Sequence, residues 1–151
     1  MPKITVEWQR FEQLSADALY EVLRFRQGIF VVEQASPYSD LDGLDQAAWH
    51  LLLRADGALA GYLRLIPMPG PPPAVRIGRV AVTPDLRRRE LGRRLMEEAL
   101  CFCRERCPKQ NLVLAAQLHL VLFYQGFGFT VASELYDDFG VVHVEMVKPQ
   151  G

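Results

Sequence analysis

The sequence predicts a mixed α/β layer fold in a single domain that spans residues 1–151. Strand-like and helix-like segments follow one another in the order β α β β β α β α β β, which is typical of a sheet with helices packed on it. A length of 151 residues suits one domain and is too short for two of ordinary size. Of these residues 50% are apolar and 23% are charged, which is typical of globular chains and excludes a disordered or collagen-like chain.

A strand and a helix come first. Residues 4–8 predict the strand. Ser15 is the predicted N-cap of the helix, with Asp17 in its first turn. Apolar side chains then recur at helical spacing, at Leu14, Ala18, Val22, Phe25 and Ile29, so this helix should have one apolar face.

Two strands joined by a tight turn follow an irregular acidic stretch. Residues 49–54 and 59–66 are strand-like, and Asp56-Gly57 between them is a strong signal for a two-residue hairpin turn. Alternation of side chains pairs the polar residues by face: His50 with Arg54, and Tyr62 with Arg64.

The next strand, residues 75–82, breaks its alternation near Gly78-Arg79. Val80 and Val82 share the face of the earlier apolar residues only if one extra residue is inserted at that point. A β-bulge inserts such a residue, and bulges often lie beside ligand sites. Ordinary irregularity of the pattern fits these few residues equally well, and both readings stay open.

Two more helices and three more strands complete the order. Thr83-Pro84-Asp85 ends the bulged strand, and a helix begins near Leu91. Its predicted buried stripe consists of Leu91, Leu95, Met96, Ala99, Leu100, Phe102 and Cys103. Residues 112–116 form a continuous apolar run, which predicts a strand buried on both faces. A short helix over 117–124 and strands over 129–136 and 141–147, turned at 137–140, end the chain.

The three cysteines, Cys101, Cys103 and Cys107, lie within one predicted helix. An odd number in so short a stretch predicts no disulfide framework. Positions 101 and 103 point about 200° apart around a helix, so these thiols cannot share a metal ion. We therefore expect reduced thiols, no metal and a cytoplasmic protein. We also expect no membrane attachment, since no apolar stretch reaches ~20 residues and no signal-peptide pattern follows Met1.

The formal charge of −1 hides a separation of charge along the chain. Residues 76–109 hold ten basic and five acidic side chains, whereas the remainder holds seven basic and thirteen acidic ones. We expect the positive share to gather at residues 87–94, where five arginines surround a helix start. Free N–H groups and the positive end of the helix dipole attract anions. This turn therefore predicts a site for a pyrophosphate or similar anion, with a solvated basic face as the alternative.

Other classes of phosphate-binding protein are excluded or disfavoured. The glycine-rich motifs of P-loop and dinucleotide-binding folds are both absent from the sequence. A nucleic-acid-binding protein is usually basic overall, whereas this chain carries −1.

Three segments together resemble the GNAT superfamily of N-acetyltransferases. They are Arg79-Val80-Ala81-Val82-Thr83-Pro84, Arg87-x-x-Glu90-x-Gly92-Arg93-Arg94-Leu95-Met96 and Phe123-Tyr124-Gln125-Gly126-Phe127-Gly128-Phe129. The family pattern is Arg/Gln-x-x-Gly-x-Gly/Ala after a strand, then Tyr-x-x-x-Gly-Phe later in the chain. Further matches extend the resemblance to the ElaA-like subgroup over nearly the whole chain: Phe30-Val31-Val32-Glu33-Gln34, Pro37-Tyr38, Asp42, Asp45, His50, Gly78-Arg79 and Asp138-x-Gly-x-x-His143-x-x-Met146.

The resemblance implies a fold and an activity. The fold would be a mostly antiparallel central sheet with helices on both faces and strands splayed at the CoA site. The activity would be transfer of an acetyl group from acetyl-CoA to a primary amine, by direct attack in a ternary complex, on a small molecule or a protein. A CoA-binding module without turnover is the alternative, and nucleic-acid binding through residues 87–94 is a weaker one. The sequence leaves a homodimer open.

The resemblance also implies which residues bind and which react. Backbone groups of Val80, Ala81 and Val82 would pair with the pantetheine arm of acetyl-CoA, as an added strand does. One N–H of this segment would polarise the thioester carbonyl. The pyrophosphate would be wrapped by the loop of Arg87, Arg88, Arg89, Glu90, Leu91, Gly92 and Arg93. Gln117 would contact CoA, and Tyr124 would both line the CoA site and protonate the departing thiolate.

Glu90 departs from the family pattern because it replaces the first glycine of the loop. We expect the backbone donors to survive this change, provided that the φ angle of Glu90 is negative. An ion pair with Arg94, four residues on, would neutralise the carboxylate next to the pyrophosphate.

The second departure is the absence of a glutamate base on the strand over 112–116. Four residues are candidates to deprotonate the amine: Glu33, His50, His119 and His143. Glu33 and His143 are favoured as catalytic residues because they match the subgroup pattern. Two acidic clusters, Asp40-Asp42-Asp45 and Glu134-Asp137-Asp138, would either attract a cationic amine or simply be solvated loops.

Overall fold

The elements of the structure, a computed structural model, follow the predicted order. It describes residues 2–35 and 39–151, without the side chains of residues 87–89. The strands are β1 (Ile4–Arg10), β2 (Trp49–Ala55), β3 (Ala58–Met68), β4 (Ala74–Val82), β5 (Asn111–Gln117), β6 (Thr130–Val131), β7 (Tyr136–Asp138) and β8 (Val141–Lys148). The α-helices are α1 (Ala16–Arg26), which continues as a π-helical segment over Gln27–Glu33, α2 (Leu91–Arg106) and α3 (Val121–Gln125).

The strands form one mixed sheet with helices on both faces. Its order is β1-β2-β3-β4-β5-β8-β6, and β7 also pairs with β8. The pairing of β4 with β5 is parallel, and the other described pairings are antiparallel. Leu51 and Leu53 face α2 in the large core, whereas Leu52 and Tyr62 pack with Val22 of α1 on the opposite face. The predicted fold class is therefore confirmed.

Local signals in the sequence place a helix cap, a hairpin turn and the buried face of α2 correctly. Ser15 caps α1, since its hydroxyl accepts a hydrogen bond from the N–H of Ala18 at 3.0 Å. Asp56 and Gly57 have φ angles of +50° and +86°, as a two-residue hairpin turn with right-handed strand twist requires. The predicted buried stripe of α2 is observed, with Phe102 partly buried at its border.

A β-bulge interrupts the pairing of β3 with β4. Tyr62 lies opposite Ala81 and Arg64 opposite Gly78, so Leu63 faces two residues of β4. The inserted residue, Arg79, has a φ angle of +54°. Of the two readings that the sequence left open at Gly78-Arg79, the bulge is therefore the one observed.

Beyond its first three residue pairs, β4 diverges from β5. The parallel ladder joins only Ala74–Arg76 to residues 111–113. The prediction that residues 112–116 are buried on both faces is wrong, because Ala115 is exposed while Leu114 and Ala116 are buried. The exposed face of β5 borders the gap that the two diverging strands leave.

The strand predicted over residues 129–136 is two short strands, β6 and β7, and the last predicted strand, residues 141–147, is β8. The turn between β7 and β8 consists of Phe139 and Gly140, with φ angles of +50° and +85°. Asp137 and Asp138, predicted in this turn, belong to β7. No helix of the described residues is long and apolar enough to span a membrane.

Candidate active site

A cleft of about 320 Å³ lies where β4 and β5 diverge. Its walls bring together four residues that the sequence assigned to the site: Val80, Gln117, Tyr124 and His143. Ala81 and Val82 continue β4 beyond the bulge. The structure places Glu33 elsewhere, in a second hollow of about 560 Å³ between the π-helical segment and Thr83-Pro84.

Tyr124 lies in the wall of the cleft with its ring among aromatic neighbours. The rings of Phe123 and Phe129 contact it edge to face, with centroids 5.2 and 6.3 Å away. The N–H of Phe127 also donates to the carbonyl oxygen of Tyr124, at 3.0 Å. Burial raises the pKa of the Tyr124 phenol to about 12. The phenol is therefore protonated at neutral pH and can donate a proton.

His143 lines the same cleft and can accept a proton, whereas Tyr124 can donate one. Its Nδ1 lies 2.9 Å from the carbonyl oxygen of Val141. Because a carbonyl oxygen only accepts hydrogen bonds, Nδ1 carries the hydrogen, and Nε2 of the neutral ring carries the lone pair. The ring stacks on Tyr136, with centroids 6.0 Å apart and planes 23° apart. His143 is thus oriented to accept a proton at Nε2.

A hydrogen-bonded chain supports Tyr136 behind the His143 ring. The phenol of Tyr136 donates to Glu145 Oε2 at 2.8 Å, and Arg76 Nη2 donates to Glu145 Oε1 at 2.6 Å. Burial, with the hydrogen bond to Glu145, raises the pKa of Tyr136 to about 12. Tyr136 is therefore a neutral aromatic surface for His143 at neutral pH.

The two other histidines are outside the cleft. The Nε2–H of buried His50 donates to the carbonyl of Asp45 at 2.9 Å, and Nδ1 accepts from the Tyr62 hydroxyl at 2.5 Å. Burial lowers the pKa of His50, which is therefore neutral. His119 is exposed on the segment before α3. His143 is the histidine that the cleft contains.

The first acidic cluster belongs to an arginine–aspartate network, in which Asp40 and Asp45 are buried and Asp42 is exposed. The network consists of Arg26, Arg64, Arg79, Asp40, Asp42 and Asp45. Arg26 donates to both Asp40 and Asp45, at 3.0 and 2.7 Å. Arg64 reaches Asp45 at 2.8 Å and also binds Asp42 through two nitrogens. Both sequence readings, an amine-attracting rim and a solvated loop, are therefore wrong for Asp40 and Asp45. Asp42 is exposed and lines the cleft, with its charge paired to Arg64.

The network holds its carboxylates ionised. Although burial opposes ionisation, the hydrogen bonds from Arg64 and the Leu44 N–H lower the pKa of Asp42 to about 2. The pKa of Asp45 also lies below its ordinary value, since the hydrogen bonds from Arg26 and Arg64 outweigh its burial. The buried charges of Arg26, Arg64, Asp40 and Asp45 are stable in the fold because each one is paired with an opposite charge.

The basic residues do not all gather at the turn before α2. Arg76 and Arg79 pair with Glu145 and Asp40, and Arg106 lies over the rings of Trp49 and Phe102 at the far end of α2. Sequence reasoning missed these partners because they lie far along the chain. The predicted binding of the pyrophosphate by the side chains of Arg87, Arg88 and Arg89 falls outside the described residues.

The start of α2 is open to solvent where a ligand would approach. A Cβ on Gly92 would meet only one side-chain atom, of Phe123, at 3.7 Å. The buried side chain of Leu91 belongs to the core, so only its backbone faces the turn. The guanidinium of Arg93 lies 5.8 Å from the ring centroid of Phe127.

Glu90 adopts a conformation that the sequence analysis did not expect. Its φ angle is +59°, in the left-handed region, so the negative φ on which the survival of the backbone donors was made to depend is not observed. The structure pairs Arg94 with Glu98, at 3.1 Å, rather than with Glu90. A positive φ explains why the family pattern has glycine here, because glycine adopts it without strain.

The three cysteines lie on α2 and directly after it, and they do not line the cleft. Cys101 is exposed, Cys103 is buried, Cys107 is partly buried, and all three are free thiols. Within residues 2–35 and 39–151, no cluster of three or more histidine, cysteine, aspartate or glutamate residues is arranged to hold a metal ion.

Sequence and structure comparisons with known proteins both find relatives among acyltransferases and ElaA proteins. The family model described as an acetyltransferase (GNAT) domain matches residues 13–149. Protein ElaA of Escherichia coli is 37% identical over 147 residues, which cover 95% of this chain and 96% of ElaA. The crystal structure of E. coli ElaA superposes with a TM-score of 0.89, at 35% identity, over 97% of this chain and 99% of that one. An acyl-CoA N-acyltransferase structure from Pseudomonas aeruginosa gives a TM-score of 0.90, at 34% identity, with coverages of 97% and 99%.

Proposed function

This chain belongs to the GNAT acetyltransferase family, in its ElaA-like subgroup, and from that premise we propose that it transfers the acetyl group of acetyl-CoA to a primary amine. The observation that carries the proposal is the position of Tyr124 and His143 on one cleft. A protonated phenol and an imidazole with a lone pair on Nε2 are the acid and the base that this transfer needs.

The donor site is proposed at the divergence of β4 and β5. The ladder between them stops after three residue pairs, which leaves room for the pantetheine arm to run beside residues 80–82 as an added strand would. The N-terminus of α2, with the open approach at Gly92, would receive the pyrophosphate. Gln117 lines the cleft on the facing strand and would bind a polar group of the donor.

The proposed reaction proceeds without a covalent enzyme intermediate. His143 Nε2 takes one proton from the ammonium group of the acceptor and passes it to solvent. The nitrogen lone pair then attacks the thioester carbonyl carbon, and a backbone N–H of residues 80–82 stabilises the oxyanion. As the C–S bond breaks, Tyr124 gives its proton to the thiolate and regains one from the nitrogen. The products are an amide, CoA as a free thiol and one released proton.

Glu33 is not assigned the base in this proposal, because it borders the second hollow and not the cleft of Tyr124 and His143. His143 satisfies both requirements of a base, since it lines the cleft and its tautomer directs a lone pair away from Val141.

The test measures donor binding and turnover separately. Calorimetry measures the affinity for acetyl-CoA, and a thiol reagent measures the release of CoA in the presence of a panel of primary amines. We expect binding and amine-dependent thiol release above the hydrolysis background. If acetyl-CoA binds and no amine increases thiol release, the chain is a CoA-binding module. If acetyl-CoA does not bind, the acetyltransferase proposal is wrong.

A further inference from the structure

We propose that the acceptor is a primary amine attached to an apolar or aromatic group, with no carboxylate on the molecule. This inference rests on the proposed function, since it identifies the substrate class of the same cleft. Three features carry it: the described arginines of the cleft are already paired, one carboxylate forms no ion pair with a described cation, and the mouth of the cleft is apolar.

The three arginines that line the cleft are occupied by carboxylates of the protein. Arg64 binds Asp42 and Asp45, Arg79 Nε lies 2.7 Å from Asp40 Oδ1, and Arg76 lies 2.6 Å from Glu145. The Nε of Arg64 lacks a hydrogen-bond partner but is fully buried, so a ligand in the cleft cannot contact it. Each pair already neutralises its arginine. An acceptor with a carboxylate, such as an amino acid, would therefore gain less from these cations than from an arginine without a carboxylate partner, and its charge would lie near the carboxylates of the protein.

The carboxylate of Asp138 is positioned to bind an ammonium group. Asp138 lines the cleft at the end of β7. It pairs with Val141 while Tyr136 pairs with His143, so Asp138 and the His143 ring lie on one face of this hairpin. Among the described side chains, no cation forms an ion pair with Asp138. An ammonium bound there would lie on the same face as the proposed base.

Apolar side chains surround the mouth of the cleft. Phe139, next to Asp138, is 60% exposed, and Leu44 on the facing loop is 47% exposed. Phe30 lines the same mouth and is half-buried. Exposed apolar groups at the opening of a pocket favour a ligand that buries them. The ammonium group of the acceptor would thus bind Asp138, and its apolar group would bind the adjacent Phe139.

Matched acceptors test the inference through thiol release from acetyl-CoA. Phenethylamine has the proposed features, phenylalanine adds only the carboxylate, phenylalaninamide replaces that charge with a neutral group, and ethanolamine lacks the apolar group. We expect kcat/KM for phenethylamine to exceed that for phenylalanine and for ethanolamine by about tenfold or more, with phenylalaninamide close to phenethylamine. Equal or better turnover of phenylalanine or ethanolamine would overturn the inference and leave the proposed function standing. If no amine releases thiol, the proposed function itself is wrong.

Variants test the two specificity residues. We expect Asp138→Asn to raise KM for phenethylamine by about tenfold with little change in kcat. Phe139→Ala should raise the same KM, and Phe139→Leu should restore it in large part. Asp17→Asn makes the same chemical change as Asp138→Asn at the exposed start of α1 and should leave KM unchanged. An unchanged KM in both Asp138→Asn and Phe139→Ala, with the fold intact by circular dichroism, would overturn the inference.

Discussion

Arg79 and Asp40 lie 39 residues apart in the sequence and form an ion pair, with Nε 2.7 Å from Oδ1. Asp40 also accepts a hydrogen bond from Arg26 of α1, at 3.0 Å. The bulge that places Val80 on the cleft wall is therefore anchored from outside its own sheet, by the end of α1 and the loop after it.

Removing the Arg79 guanidinium should destabilise the fold and slow turnover. In Arg79→Gly, Asp40 loses one cationic partner and keeps Arg26, so ~3 kcal/mol, the cost of a buried charge left unpaired, is an upper bound on the loss. Glycine recovers roughly 1 kcal/mol of left-handed strain. We expect the free energy of unfolding in urea to fall by at most about 2 kcal/mol, and kcat to fall because the bulge loses its anchor.

Arg54→Gln is the matched control for that experiment. Arg54 pairs with Glu7 and Glu21, at 2.7 and 2.9 Å, and does not line the cleft. The Arg54→Gln variant should be less stable than the wild type. Its kcat should be unchanged at temperatures where both Arg54→Gln and Arg79→Gly are folded. If both variants lower kcat equally, the bulge does not depend on Arg79 for its function.

Replacing Glu90 should strengthen donor binding. Glu90→Gly removes both the strained φ of +59° and a carboxylate beside the proposed pyrophosphate site. Removing one charge near a helix N-terminus should tighten acetyl-CoA binding by about threefold at low salt. Calorimetry at two salt concentrations measures this.

Glu90→Gln separates the charge from the strain at the same position, since it removes the charge and keeps a side chain. Equal gains in both variants would assign the effect to charge, and a gain only with glycine would assign it to the backbone. Weaker binding by Glu90→Gly would contradict the placement of the pyrophosphate at this turn.

The acid and the base should each be needed for turnover. Tyr124→Phe and His143→Gln should lower kcat by about 10²- to 10⁴-fold and should retain acetyl-CoA binding, because neither change removes a backbone donor. Stopped-flow or steady-state thiol release measures kcat for each variant.

Exposed residues provide controls for these two variants. Tyr20→Phe changes a tyrosine that is 68% exposed on α1, and His119→Gln changes a histidine outside the cleft. Both should turn over at the wild-type rate. Full activity of His143→Gln would show that His143 is not the base and would favour Glu33 in that role.

Acid should destabilise the protein through the arginine–aspartate network. The pKa of Asp42 is about 2 in the folded chain and 3.8 for the ordinary group. Its ionised form therefore contributes stability that is present above pH 3.8 and is lost as the pH falls towards 2. Partial exposure reduces the effect, and we expect a loss of about 1–2 kcal/mol from this residue.

Urea unfolding at a series of pH values from 5 down to about 2 measures this loss. The variant Asp42→Asn should begin less stable at pH 5 and should show a shallower dependence on pH over that range. Parallel curves for the wild type and the variant would show that Asp42 does not contribute the acid dependence.

Elements with local causes were predictable from the sequence. The N-cap at Ser15 and the turn at Asp56-Gly57 each depend on residues within a few positions of one another. The bulge at Arg79 was only one of two readings of the sequence, because it also depends on pairing with β3 and on the distant Asp40. The motif around Tyr124 was predictable because it occupies one short segment. Such features are set by side-chain capping, backbone φ preferences and strand alternation.

By itself, the sequence determined the fold class, the family motifs and the residues from which the acid and the base would be chosen. Only the tertiary structure decided which of them meet: His143 joins Tyr124 on one cleft, and Glu33 lies in another hollow. It also decided that Asp40 pairs with Arg26 and Arg79 rather than with a substrate. The physical reason is that an ion pair or a cleft depends on distance in space, which packing sets between segments far apart in the chain.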